Sequence, residues 1–316
     1  MIMMFSSRCL AARRSLSTYA PRTLREVTCI QGVHTGTVLK RAANYEALAV
    51  TLDEASGVAS ILLNRPSKKN AQNMAMWNEL VDVFAAVSVD PAVRVAILAG
   101  SGGHFCSGMD LSVFAEMKAL AKEEKCEGRK REQLLRSIEF FQSGVNAPEL
   151  CAKPVICAIE GNAIGGGVDL ATACDMRYCV DDAQVSVKEV DLGIVADVGT
   201  MQRLPFLVGD QRARELTYTG RTISGAEAAR YGLCLESFAT AESMMAHVRS
   251  VAESIGSKSP LTVRGIKRTA LYTRDHPTTD ALNQVAHWNM ATLLSDDLDE
   301  AMGAMMERRG PTFRGD

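Results

Sequence analysis

The 316-residue chain has no apolar run long enough to cross a bilayer. Stretches such as Val155–Ile159 stop far short of the roughly 20 residues that a membrane helix needs. Its nine cysteines, at positions 9, 29, 106, 126, 151, 157, 174, 179 and 234, contain no CxxC pair, and its five histidines are dispersed. Zinc-type spacing is therefore missing and no metal is expected. An excess of one charge is lacking too: 35 Lys+Arg face 37 Asp+Glu, a formal net charge of −2. Nothing in that balance pulls the protein toward nucleic acid. No Gly-Lys-Ser/Thr follows a glycine-rich turn, and the full dinucleotide fingerprint is absent, against a phosphate loop or a nicotinamide fold. Ser101, Cys106 and Ser107 have no His/Asp relay at a recognisable spacing, which argues against acyl-enzyme catalysis.

What is present is ordinary globular composition, 47% hydrophobic and 23% charged, in a chain long enough for one or two domains with a sizeable core. The expectation is a soluble protein. Cys157, Cys174 and Cys179 sit in apolar, strand-like sequence and read as reduced core residues, which favours a reducing compartment. Residues 1–25 differ from the rest. They hold Arg8, Arg13, Arg14, Arg22 and Arg25, several serines and no acid before Glu26. An Arg- and Ser-rich, acid-poor start resembles a mitochondrial transit peptide, with a plain basic tail as the alternative. The final Phe313-Arg314-Gly315-Asp316 is no Ser-Lys-Leu signal. The expected location is the mitochondrial matrix rather than the peroxisome.

Residues 26–44 read as an irregular linker. Beyond them, 45–238 show α/β alternation and 239–316 are helical, a C-terminal region suited to assembly. Two strands flank a turn near 54–57. Asn73–Val87 is an amphipathic helix with Met76, Leu80, Val83, Phe84 and Val87 on one face. Val93–Gly100 and Lys153–Ile159 are short buried strands, each running into glycine-rich sequence. MRYCV and AQVSV are further strands, and from Asp210 onward the pattern is helical.

The chemistry gathers at the two glycine-rich turns, HFCSGMDL and GNAIGGGVDL, each ending with an acid, Asp110 and Asp169. A helix start leaves N–H groups unpaired and partly positive. Two such turns facing each other offer one N–H each, an oxyanion hole for a polarised carbonyl. Three carboxylates, Asp169, Glu189 and Asp197, follow within the same stretch, and carboxylates in one pocket can move protons on and off carbon. Each acid also has a plain reading. Asp169 could be a helix-dipole residue, Glu189 a solvated loop charge, and Asp197 the N-cap of a helix beginning near Gly199.

NRPSKKNAQN, HFCSGMDL and KPVICAIEGNAIGGGVDLATACDMRY, in that order, resemble the enoyl-CoA hydratase/isomerase (crotonase) superfamily over about residues 45–310. The resemblance implies a spiral α/β core of ββα units followed by C-terminal trimerisation helices, acyl-CoA substrates and a homotrimer or homohexamer. It places the oxyanion amides at Met109 and Gly166. It places CoA-facing residues at Lys68, Lys69, Ala71, Ser107 and Gly108. In the family's hydratases, acids at the positions of Asp169 and Glu189 manage water and the C2 proton. The third acid, Asp197, with Trp288-Asn289-Met290, is most similar to the Δ3,5-Δ2,4-dienoyl-CoA isomerases of the family. That implies proton transfer from C2 to C6 of a dienoyl thioester, with Glu189 as the base at C2, Asp197 as the acid at C6 and Asp169 orienting. No cofactor is implied, because coenzyme A enters with the substrate.

The alternative activity is 2-enoyl-CoA hydration, for which a small residue at position 197 is more usual. A further rival is a non-catalytic RNA-binding relative, supported only by the basic start and Arg129-Lys130-Arg131. Those charges read more simply as a transit peptide and a solvated helix. Lys267 and Arg268, on a C-terminal helix, are where a neighbouring subunit would reach CoA. His104 reads as a local turn residue, and Met302, Met305 and Met306 as interface or core packing.

Overall fold

Short β-branched runs bounded by glycine and proline build the centre of the protein. The structure is a computed structural model and describes residues 37–315. The expected transit-peptide segment, the first part of the linker and Asp316 lie outside the described residues.

The expected linker ends in a short helix rather than irregular chain: α1 (Thr37–Ala42). Val38 is fully buried and its N–H donates to Asp90 Oδ2 at 3.1 Å. Six residues are too few to reveal helical periodicity in sequence, and tertiary contacts hold this turn. β1 (Leu48–Asp53) and β2 (Val58–Leu63) form an antiparallel hairpin, registered Leu48 opposite Leu63. Gly57 closes the turn at φ +69°, where a Cβ would meet Arg94 Cγ at 2.4 Å.

α2 (Met74–Val89) is capped by Asn73, whose side chain accepts from Met76 N–H, and it buries the expected apolar face. β3 (Val95–Gly100) pairs parallel with β2. After α3 (Leu111–Glu123) and α4 (Glu127–Leu150), β4 (Val155–Ile159) pairs parallel with β3 and is buried at every position. A parallel strand covered on both faces reads as an unbroken apolar run rather than an alternating one. Trp77 of α2 packs on Phe141 of α4 with ring centroids 5.1 Å apart.

β5 (Asn162–Ile164) leads into α5 (Gly166–Thr172), and β6 (Met176–Val180) returns to the main sheet. β7 (Gln184–Ser186) pairs with β5 and with β8 (Ile223–Ser224) in a second, three-stranded sheet. Between them lie α6 (Thr200–Val208) and α7 (Asp210–Thr219). α8 (Gly225–Tyr231) starts in a Ser224–Glu227 capping box and precedes β9 (Glu236–Phe238). β9 adds to the edge of the main sheet, whose order is β1-β2-β3-β4-β6-β9. Two strands thus interrupt the segment after Asp210 that reads as helical. Strands of two and three residues carry too little alternation to stand out.

α9 (Ala241–Gly256) buries Met244, Val248 and Ala252 against the main sheet, so the α/β core extends past residue 238. α10 (Pro260–Thr273), α11 (Thr278–Thr292) and α12 (Asp296–Glu307) complete the described chain. Met290, Leu294, Met305 and Met306 on and after these helices are exposed, up to 95% at Leu294. The methionine stripe is therefore not core of this subunit. Six of the seven described cysteines are buried, and all seven are free thiols.

Candidate active site

Beyond β3 the chain turns and runs beside β5, bound by Cys106 N–H to Asn162 O at 2.7 Å and Ile164 N–H to Cys106 O at 3.0 Å. These bonds bring the two glycine-rich turns together. Gly108 and Gly165 have φ of +92° and +53°, backbone that glycine alone adopts cheaply. A Cβ at Gly108 would lie 2.9 Å from Ile164 O and 3.6 Å from Gly166 N, so the turns touch through bare backbone. A Cβ on Gly166 would lie 3.7 Å from Met109 N. Neither the Met109 N–H nor the Gly166 N–H donates to a protein acceptor among the described residues. Gly166 is the first residue of α5, where no intrahelical acceptor exists. Two free, converging amides can hold a developing oxyanion.

The three acids gather beside them. Asp169, on α5, is fully buried, and its Oδ1 accepts from Thr200 N–H at 2.6 Å while Oδ2 has no partner. Burial raises its carboxyl above the usual range. Glu189 opens a single 3-10 turn, Glu189–Leu192, after β7. Its carboxyl is pushed up to about 7, by burial first and then by the charge of Asp169. Its Oε2 is also buried without a partner, and a Cβ at Gly165 would lie 3.2 Å from its Oε1. The charge of one carboxyl raises the proton affinity of its neighbour, so the two titrate as a coupled pair.

Asp197 is no helix cap. α6 begins at Thr200 behind Gly199, without a side-chain cap bond, and the free Thr200 N–H is taken by Asp169 instead. The Asp197 side chain is exposed in the single chain, yet partial desolvation still raises its carboxyl. Its charge reaches both Asp169 and Glu189. Gln142 Nε2 holds its carbonyl at 2.7 Å. Below the loop, Arg203 Nη2 bonds Glu149 Oε2 at 2.6 Å and ties α6 to α4. Gly199, at φ +136°, leaves room for that guanidinium.

The loop expected to face CoA lies against the first turn. Ser107 donates its N–H to Lys69 O at 3.0 Å and its hydroxyl to Lys68 O at 3.1 Å. Lys68 and Lys69 are exposed and carry no ion pair among the described residues. Asn70, buried at φ +57°, staples the loop through Arg65 N, Ser101 O and His104 O. Ala71 is half-buried and its carbonyl accepts from Arg65, which pairs with Asp110 at 2.9 Å. The nominated residues Lys68, Lys69, Ala71, Ser107, Gly108, Met109 and Gly166 thus lie along connected segments, next to Asp169 and Glu189.

Lys267 does not reach outward. It is buried, paired with Asp175 at 2.7 Å and bonded to Pro148 O and Lys153 O. Its amphipathic neighbours hid this, since a lysine in a helix reads as exposed. Trp288 packs over Gly265 and Arg268, between α10 and α11. A cavity of about 490 Å³ opens beside it, lined by Arg268, Tyr272, Asn283, Gln284 and His287, away from the carboxyl cluster. Two residues of the site were not singled out from sequence: Thr200, whose backbone is the partner of Asp169, and Gln72, between the two turns. Long-range backbone bonds leave no local pattern to find. Among the described residues no group of three or more potential ligands could hold a metal.

The enoyl-CoA hydratase/isomerase family matches residues 53–316. The chain belongs to that family. Among its curated relatives, the peroxisomal Δ3,5-Δ2,4-dienoyl-CoA isomerase of Arabidopsis thaliana is 46% identical over 258 residues, covering 82% of this chain and 93% of the relative. The mitochondrial Δ3,5-Δ2,4-dienoyl-CoA isomerase of Homo sapiens is 42% identical over 267 residues, covering 84% and 81%. A crystal structure of enoyl-CoA hydratase from Bacillus anthracis superposes with a TM-score of 0.76 at 31% identity, covering 86% of this chain and all of that one. A putative enoyl-CoA hydratase from Streptomyces coelicolor gives 0.77 at 28% identity, covering 92% and 99%. The enoyl-CoA hydratase/isomerase fold expected from the motifs is thus the fold of the chain.

Proposed function

We propose that this chain converts 3,5-dienoyl-CoA thioesters to 2,4-dienoyl-CoA in fatty-acid β-oxidation. The relatives named as Δ3,5-Δ2,4-dienoyl-CoA isomerases support this reading. The observation that carries it is the free, partly desolvated carboxyl of Asp197, which has no capping duty and sits in the electrostatic field of the other two acids.

The thioester oxygen would lie between the Met109 and Gly166 N–H groups. Ionised Glu189 removes a proton from C2, and the electron pair of that C–H bond delocalises into the thioester and along the diene. Asp197 in its acid form then gives a proton to C6, and the double bonds come to rest at C2 and C4. Glu189 ends protonated and Asp197 ionised, and exchange with water restores both. Raised carboxyls suit both tasks: a base that titrates near neutral pH, and an acid that keeps its proton to higher pH than usual. Asp169 moves no proton to carbon. It raises the carboxyl of Glu189 and holds Thr200. The reaction is redox-neutral and its carbanion is spread over a thioester, so it calls for no metal, flavin or nicotinamide.

The CoA phosphates would meet Lys68 and Lys69, with Ala71, Ser107 and Gly108 lining the pantetheine path. The exposed apolar side chains of α10–α12 support a homotrimer or homohexamer. The Arg-rich start supports the mitochondrial matrix as location; the names of relatives include both a peroxisomal and mitochondrial isomerases.

The test is a spectrophotometric assay with 3,5-octadienoyl-CoA on wild type and Asp197→Asn. A rise in conjugated 2,4-dienoyl absorbance that the substitution abolishes is expected. Hydration of a 2-enoyl-CoA by both proteins, with no diene conjugation, would make the chain a hydratase.

A further inference from the structure

The Gln72 side chain binds one oxyanion turn while its own backbone grips the other. Its N–H donates to Gly108 O at 2.8 Å and its carbonyl accepts from Asp110 N–H at 3.0 Å. Those two bonds flank Met109 and pair Gln72 with it as an isolated parallel bridge. In such a bridge the N–H of the facing residue points away from the partner strand, so Gln72 turns the Met109 N–H outward. The side chain then crosses to the second turn, where Nε2 donates to Gly166 O at 3.3 Å. Gln72 is fully buried, and its Oε1 has no partner. A Cβ on Gly166 would lie only 2.3 Å from that oxygen.

A buried, unsatisfied amide oxygen is a cost that an apolar residue of the same length would avoid. Such a local violation of the packing rules is expected where function asks for it. The two amides belong to segments 57 positions apart in the chain (166 − 109), one on an irregular turn and one at the first residue of a helix. The bonds between the Cys106 segment and β5 hold the turns together upstream of the hole. Gln72 supplies the tie on the other side of Met109.

We propose that Gln72 is a positioning residue, whose carboxamide sets the spacing of the Met109 and Gly166 N–H groups and so the polarisation of the bound thioester. This rests on the reading of those amides as an oxyanion hole. Losing the carboxamide leaves the main-chain bonds of residue 72 intact and frees only the Gly166 side. The hole should then be present but loose, which weakens transition-state binding far more than ground-state binding.

The experiment compares wild type, Gln72→Met and Gln72→Glu by two readouts. One is the kcat and KM for 3,5-octadienoyl-CoA. The other is the absorption spectrum and thioester carbonyl stretch of bound 2,4-octadienoyl-CoA, which report polarisation without turnover. For Gln72→Met we expect kcat to fall about tenfold with little change in KM, a thermal midpoint at or above wild type, and a smaller red shift of the bound product. Gln72→Glu, which sets a negative charge beside the enolate, should fall further. A wild-type kcat and full red shift in Gln72→Met would overturn the proposal. So would a loss of kcat that merely tracks a lowered thermal midpoint. Should wild type show neither red shift nor turnover, the oxyanion hole itself falls and the role of Gln72 with it.

Discussion

The carboxylate of Asp169 accepts the N–H of Thr200 across 31 residues of chain at 2.6 Å, and so caps a helix to which it does not belong. One oxygen anchors the start of α6, and the loop carrying Asp197 leads directly into it. The other oxygen is buried without a partner, and the acid's charge raises the carboxyl of Glu189. A single buried acid thereby anchors the helix that follows Asp197 and, after burial itself, raises the carboxyl of Glu189.

Asp169→Asn keeps an acceptor for Thr200 and exchanges the facing oxygen for an N–H donor. Glu189 is pushed up to about 7 by burial and then by Asp169. Its base form appears only as pH rises through that value, so kcat/KM of wild type should climb with an apparent pKa near 7. In Asp169→Asn a charge is gone and a donor favours ionised Glu189, so the ascending limb should move to lower pH. Stability has the opposite slope. A carboxyl held above its unfolded value favours folding below that value and loses this contribution as pH rises through about 7. Steady-state rates and urea midpoints between pH 5 and 8.5 test both, and an unmoved limb would refute the coupling.

Gly166→Ala would place a methyl group 2.3 Å from Gln72 Oε1 and beside the Met109 amide. Something must shift, and either the amide or the glutamine will do so. Loss of one oxyanion donor costs roughly 10²–10³ in kcat. We expect a fall of that order, with product-CoA affinity measured by calorimetry reduced far less.

Lys68→Ala combined with Lys69→Ala removes two exposed cations from the first loop. If they meet the CoA phosphates, KM should rise at low salt and converge on wild type near 0.5 M salt, while kcat stays put. A KM equal to wild type at every ionic strength would mean that they are ordinary surface lysines.

Lys267→Met should act on stability alone. It leaves the partly exposed carboxylate of Asp175 without its cation; partial desolvation already raises that carboxyl against the pull of Lys267. The buried carbonyls of Pro148 and Lys153 also lose their donor, and a buried acceptor left unsatisfied costs about 1–3 kcal/mol. Chemical denaturation should register that loss, and it should ease as pH falls and Asp175 takes up a proton. The KM for acyl-CoA of the folded variant should match wild type.

Much of the site was legible before any coordinates. Gly108 stands where backbone meets backbone, and Gly165 and Gly166 leave room for the Glu189 and Gln72 side chains. A strand running into glycine and then into a capped helix is visible because its causes are local: no side chain, a freed N–H, a following acid. The parallel strands showed themselves as unbroken apolar runs. α1, β8 and β9 did not, because two to six residues cannot carry a period and only their neighbours hold them in place. Lys267 misled for a related reason, since its partners Pro148, Lys153 and Asp175 are 119, 114 and 92 positions away.

The amino-acid sequence by itself determined the chemistry available, through the identity of its acids and the glycines that bare its amides, together with the family to which those motifs belong. Tertiary structure alone decided how that chemistry is tuned. Desolvation, the mutual charge of Asp169 and Glu189, the release of Asp197 from capping and the span of Gln72 all depend on distances between remote segments. A carboxyl's proton affinity is set by what surrounds it in space, and chain order does not encode that directly.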